Sequence, residues 1–473
     1  MATQRMIPSM VVDMLLQNNI SDVKLYSSSD NVMAPFGGTN IKLSITLTNQ
    51  ELQYVKNDED AKKWINENIK IYMDKNVIFR YVMVGTQPLS TKFSLESKKY
   101  INSVDVHERI QRKLDETYPQ VKAIMSHYVD ILQEDFTKPS EAEFKPELKD
   151  LLTKSCRIIR ASKSSFWIDY FPILVLKERY NNDTEFGFFD NNSTTKFTDG
   201  DLTYSNAFEA MYDSVVWALE KLGFPDIPVS LGSVGWPTDG HPGASTENAE
   251  RFLQGLIKFA KTNKGTPKRP GISIDAYIHN LADENALTIT IGEFTRHWGI
   301  YHFDGKPKLH LDFEGKERKI YPVSGLGITH MPRRWCVFDD RIKDVTPADL
   351  DPYYKKACSV ADCTAAAPGG SCGNLPFPAN YSYGFNMGFQ GRRQKVQGNN
   401  SCDYGGYGVI VTEEPTYKNC VFPVEIISAE TTNFLGQLQQ AQGFGIRPSL
   451  FTSLVAALLQ ILFIVFSLRF TCQ

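Results

Sequence analysis

The sequence predicts an α/β protein built as a (β/α)8 barrel, followed by a small disulfide-rich module. Over the first 330 residues, short β-rich runs alternate with amphipathic helical patterns, which is how a parallel sheet with crossover helices reads. Six of the eight cysteines then crowd between Cys336 and Cys420, whereas the preceding 335 residues hold only Cys156. In chain order the strand candidates are Val23–Tyr26, Ile41–Leu47, Val77–Val84, Val121–Ser126, Phe166–Phe171, Val229–Val234 and Ala276–Leu281. Helical spacing recurs between them: Ala61 to Met73 is one case, and Phe208, Met211, Val215, Leu219 and Leu222 are another, with Gly223 as the stop. Chemistry in such barrels sits at the C-terminal ends of the strands.

The cysteines of the second segment, Cys336, Cys358, Cys363, Cys372, Cys402 and Cys420, read as a framework made in an oxidising compartment. Six cysteines allow 15 pairings, and spacing does not choose among them. A zinc site lacks the Cys-x2-Cys pairs it would need, so no metal is expected. Asn-x-[Ser/Thr] sequons stand at Asn19, Asn182, Asn191, Asn192, Asn380 and Asn399. Leu450–Leu468 carries one glutamine and no charge, long enough to span a membrane. Placed behind a polar spacer and followed by Arg469, it reads as a glycosylphosphatidylinositol (GPI) attachment signal, with a retained C-terminal span as the alternative. Cys472 would leave with the tail. With 51 basic and 54 acidic residues the net charge is −3, which gives no electrostatic case for a nucleic-acid partner. No phosphate loop, dinucleotide fingerprint or spaced histidine cluster is present, so no cofactor is expected.

Two strand ends carry the functional argument. Leu231-Gly232-Ser233-Val234-Gly235-Trp236-Pro237 resembles the Glu-[Thr/Val/Ile]-Gly-Trp-Pro motif that presents the nucleophile in plant glycoside hydrolase family 17, the glucan endo-1,3-β-glucosidases. Arg80-Tyr81-Val82-Met83-Val84-Gly85-Thr86-Gln87-Pro88 resembles that family's Arg-Tyr-[Val/Ile]-x-Val-Gly-Asn-Glu-Pro, whose glutamate is the general acid. The resemblance therefore assigns the nucleophile position to Ser233 and the general-acid position to Gln87. A retaining glycosidase needs two carboxyl groups about 5 Å apart. An amide does not titrate, and an unactivated serine is a poor nucleophile here.

A third stretch, from Asp283-Glu284-Asn285 through Glu293-Phe294-Thr295-Arg296-His297-Trp298-Gly299, resembles Asp-Glu-[Asn/Asp]-x-Lys followed by Glu-Arg-[His/Asn]-Trp-Gly. Glu284 survives, while Leu287 stands for the lysine and Thr295 for the glutamate, which makes four departures at charged positions. Glu293 is the nearest carboxyl to replace the lost one. Phe166 to Pro172 matches Phe-x-Val-Asn-x-Tyr-Pro, so Asp169 replaces an amide and Phe171 drops a hydroxyl. Substrate contacts are expected from Asp169, Phe171, Trp236 and Glu284. The resemblance spans Met1 to about Leu435, but the family starts one strand earlier, which points to a truncated sequence, two exposed sheet edges and no visible secretory signal.

The cysteine-rich segment resembles carbohydrate-binding module family 43, through Arg334-Trp335-Cys336-Val337, Ser382-Tyr383-Gly384-Phe385-Asn386 and Cys402-Asp403-Tyr404-Gly405-Gly406. That resemblance implies bridges Cys336–Cys402, Cys358–Cys363 and Cys372–Cys420 and affinity for β-1,3-glucan. Tyr383, Phe385 and Tyr404 are its candidates for stacking on sugar, and Gly384 and Gly388, which replace larger residues, point to lowered affinity. The expected layout is a barrel over 1–322, a linker over 323–332, the module over 333–424, a spacer over 425–449 and a tail over 450–473. Three function classes stand: a cell-surface β-1,3-glucan (callose) binding protein impaired in hydrolysis, an active glucan endo-1,3-β-glucosidase, and a decaying gene copy. The first requires an upstream signal peptide and a place on the outer face of the plasma membrane or in the cell wall.

Overall fold

A computed structural model describes residues 6–93, 102–394 and 402–427, with the backbone of 466–470. All seven expected strands are present: β1 (Asp22–Leu25), β2 (Lys42–Leu47), β3 (Ile78–Val84), β4 (Lys122–Ile124) and β5 (Ser126–Tyr128), which share one strand position broken at Met125, β6 (Phe166–Tyr170), and, after the hairpin β7 (Phe197–Asp199) and β8 (Leu202–Tyr204), β9 (Val229–Val234) and β10 (Ala276–His279). The module adds β11 (Trp335–Phe338) and β12 (Gly408–Val411), and β13 (Phe466–Phe470) follows them. The main sheet runs β4-β3-β2-β1-β13-β10-β9-β6-β5, so β4 and β5 bring it back on itself as an eight-position barrel.

The expected gap lies between β1 and β10, where β13 runs antiparallel to both in an otherwise parallel sheet. Unpaired N–H and C=O groups on two facing edges give any apolar extended segment a ladder to complete, which is the physical reason the edges are not left open. At that point 466–468, the end of the uncharged run, are strand, while 450–465 and the spacer from 428 onward lie outside the described residues. Among the described residues no helix is long and apolar enough to cross a membrane.

Local signals account for the helices. Asn206 caps the helix Ala207–Lys221 by accepting from the Glu209 N–H, its apolar stripe is buried, and Gly223 ends it at φ +91°. The pattern over Ala61 to Met73 is an α-helix (Asp58–Ile65), one wider turn (Asn66–Lys70) and a last short turn (Ile71–Met73). Met83, Ile124, Trp167 and Tyr277 fill the barrel interior from four strands, so the barrel is a packed core and the site stands above it.

In the module, the helix Ala379–Gly391 packs on Pro347–Cys358, and the three bridges are those the resemblance implied. Gly384 and Gly388 are small because that packing is close. A Cβ would come within 2.4 Å of the Tyr354 ring at the first and of the Tyr404 hydroxyl at the second. Cys156, outside the framework, is buried, and burial pushes its thiol up to about 12.

Candidate active site

Three strand ends bring the predicted positions together. After β3, Gly85 and Gln87 both take left-handed backbone (φ +76° and +47°), a conformation costing a non-glycine residue about 1 kcal/mol or more. That turn points the Gln87 amide inward, where Nε2 donates to Asp169 Oδ2 at 2.6 Å. Asp169 is on β6, and its cross-strand neighbour on β9 is Ser233. Gly232 is required beside them, since a Cβ there would stand 2.5 Å from Asp169 Oδ1 and 3.3 Å from Trp167. The structure thus brings Gln87, Asp169 and Ser233 into one cluster.

Two members were missed. Lys24, from β1, is fully buried. Its ammonium donates to the Gly232 carbonyl and, at 3.0 Å, to Ser233 Oγ, and lies 4.4 Å from the Tyr26 ring centre. The Tyr26 hydroxyl shares a hydrogen with Ser233 Oγ. A lysine inside an otherwise apolar strand was the available signal, because such residues are almost never fully buried without a purpose. Asp169 is also fully buried, and burial pushes its carboxyl up while the Lys24 charge and the Gln87 amide pull it down. Among the described residues its Oδ1 has no hydrogen-bond partner. His279 closes the floor from β10, held neutral by burial and then by the Lys24 charge, at about 3.

An aromatic wall lines this cluster. Phe171 packs against Phe93, His279 and Trp298 with ring centres 5.3–5.7 Å apart. Trp236 belongs elsewhere: its ring stacks on Phe188 and its indole N–H goes to the Gly243 carbonyl, so it supports the turn instead of facing the groove. Glu284 accepts from Asn280 Nδ2 at 2.7 Å, which fixes the loop after β10. Glu293 opens a short turn, Glu293–Arg296, set against Gly240, and is not on a strand. Among the described residues no hydrogen bond joins it to Gln87 or Ser233.

The Arg296-His297 part of the third motif faces the module. Arg296 Nη1 reaches Asp362 Oδ1 at 2.9 Å and His297 Nε2 meets Thr364 Oγ1 at 2.7 Å, both in the module. Ser371 donates its N–H and hydroxyl to Asp239, just past the Gly-Trp-Pro turn. Backbone bonds Met331 N to Glu425 O and Ile427 N to Thr329 O, each 2.8 Å, lace the connecting strap. The module is thus clamped to the barrel by loops adjoining the site. A hollow of about 540 Å³ lies between the two, lined by Phe303, His330, Trp335 and Val421 among others. In the module itself, Tyr383, Phe385 and Tyr404 are buried, with Phe385 stacked on Tyr404 at 4.2 Å. The sugar-stacking expectation fails at these three, because a small disulfide module spends its aromatics on its own core.

Comparison with known proteins gives the same direction. The model of the family described as glycosyl hydrolases family 17 matches residues 4–313. Glucan endo-1,3-beta-glucosidase 8 of Arabidopsis thaliana is 32% identical over 92% of this chain and 89% of its own length. Glucan endo-1,3-beta-glucosidase 5 of the same plant is 32% identical over 90% and 86%. Among solved structures, CJP38, a beta-1,3-glucanase and allergen of Cryptomeria japonica pollen, aligns with a TM-score of 0.61 and 28% identity over 66% of this chain and 96% of that one. A barrel whose strand ends carry the Gly-Trp-Pro and Arg-Tyr-Val-x-Val-Gly motifs, matched along residues 4–313, makes this chain a member of glycosyl hydrolases family 17.

Proposed function

We propose that this chain binds β-1,3-glucan at the cell surface and has lost most or all hydrolytic power. The observation that carries the reading is the amide of Gln87 and the hydroxyl of Ser233 at the two positions where the family resemblance expects glutamates. Loss of general acid catalysis alone costs about 10²–10⁴-fold in rate, and loss of the nucleophile removes the covalent route. The aromatic wall of Phe93, Phe171 and Trp298 and the strand-end cluster stand where the polymer would bind, and the relatives' names supply the glucan class. The module over 333–424 is proposed as a second glucan contact, through residues other than its buried aromatics.

Three disulfides support passage through an oxidising compartment. The exposed Asn182, Asn191 and Asn192 suit glycosylation, whereas Asn380 has its side-chain oxygen enclosed. The uncharged run 450–468 supports a GPI signal. Cleavage of such a signal would also remove β13, so the anchored form would close its barrel by other means. Release of the protein from cells by a phosphatidylinositol-specific phospholipase tests the anchor, and persistence on the membrane counts against it.

The deciding experiment measures reducing-end release from linear β-1,3-glucan, with co-sedimentation on the insoluble polymer beside it. The native chain should pellet with glucan and release no sugar above background, while Gln87→Glu/Ser233→Glu should cut. One observation favours the alternative of an active glucan endo-1,3-β-glucosidase: a carboxyl, Asp169, stands beside Gln87 and Ser233. Release by the native chain that disappears in Asp169→Asn would establish that alternative.

A further inference from the structure

Lys24 poses a charge problem. It is fully buried, and its contacts among the described residues are a carbonyl oxygen, the Ser233 hydroxyl and the Tyr26 ring, none of them anionic. A buried ammonium without a counter-charge costs several kcal/mol. With the glutamate that the family resemblance expects at 233, the partner would sit where Ser233 Oγ now receives the Lys24 hydrogen. With serine there, the negative charge must come from another group.

Asp169 is placed to supply it. It pairs with Ser233 across β6 and β9, Gly232 leaves room for its Oδ1, and the Lys24 charge acts on its carboxyl. The family resemblance expects an amide at 169 and an acid at 87, and this chain carries the reverse, with the two side chains hydrogen-bonded at 2.6 Å. We propose that Asp169 is the charge partner that lets Lys24 stay buried once residue 233 is serine, so the lost nucleophile and the gained aspartate are one coupled change. Asp169 is therefore a positioning residue that acts through Lys24 on Ser233 and Tyr26. The inference rests on reading 87 and 233 as the two catalytic positions. A glutamate returned to 233 alone puts two carboxyls over one ammonium, and one of them must then hold a proton.

The test is a thermal-unfolding cycle on the full chain with Asp169→Asn, Ser233→Glu and the pair together. Each single change should lower the midpoint by roughly 4–8 °C, and the pair should return to within about 2 °C of the parent. Should Asp169→Asn fail to fold, Lys24→Met/Asp169→Asn, which removes both charges, should still yield folded protein. A hydrolysis arm compares Gln87→Glu/Ser233→Glu with the same pair plus Asp169→Asn. The triple variant should be about tenfold faster or more, with the acid limb of its pH profile displaced. Additive losses in the cycle, or a neutral Asp169→Asn, overturn the proposal. If the melts are coupled but the triple variant stays silent, the charge pairing stands and the glucanase reading of the groove falls.

Discussion

Gly232 shows how little room the site leaves at a single residue. Alanine there meets Asp169 Oδ1 and Trp167 at once, so Gly232→Ala should lower stability by about 1–3 kcal/mol, seen as a drop in the urea midpoint. Glu425 offers a pH handle at the strap between barrel and module. It is buried, its Oε2 has no partner among the described residues, and burial pushes its carboxyl up to about 7. A carboxyl raised on folding binds its proton more tightly in the native state. Its contribution is therefore fully present below about pH 4.5 and lost as pH rises through about 7. Glu425→Gln should flatten the fall in melting temperature between pH 5 and pH 8 and raise stability at pH 8 by about 1–3 kcal/mol. At this scale the sequence was legible where a motif named a residue, as at Gln87 and Ser233. It was not legible where burial decides, as at Lys24, whose meaning appears only when β1 and β9 lie across from each other through the barrel.

Elements were read from the sequence with fewer errors than side chains. The seven parallel strands stood out because each is an apolar run between turn signals, and the helix Ala207–Lys221 because its apolar spacing, its Asn206 cap and its glycine stop agree. Asn206→Ala should cost about 1 kcal/mol, read as a shift in the thermal midpoint without change in the folded spectrum. β13 was not legible: a long uncharged run reads as membrane-spanning by composition, and nothing in composition says that its last three residues join a strand that fills a vacant ladder. The aromatics of the helix Ala379–Gly391 failed for the converse reason. Aromatic residues at helical spacing look alike whether they face sugar or the neighbouring helix, and Gly384 and Gly388 draw that neighbour in.

The whole molecule is organised by the clamp between barrel and module. Arg296 and Asp362 are both largely withdrawn from water, so removing one leaves the other uncompensated, at a cost of about 3–5 kcal/mol where burial is complete and less here. Arg296→Ala should convert a single cooperative unfolding transition into two, the barrel's and the module's, resolved by calorimetry. Hydrogen–deuterium exchange should rise in the same variant at Thr364 and Ser371, the module's contacts. A clamp also changes what a polymer experiences. Two binding surfaces on a flexible leash gain avidity gradually, as the leash samples many separations. Two surfaces held at one offset act like the jaws of a gauge. Under the proposed function, glucans too short to bridge that offset would feel the barrel alone, and those just long enough would gain the second contact abruptly. Affinity plotted against chain length would then show a step, and Arg296→Ala would turn the step into a slope.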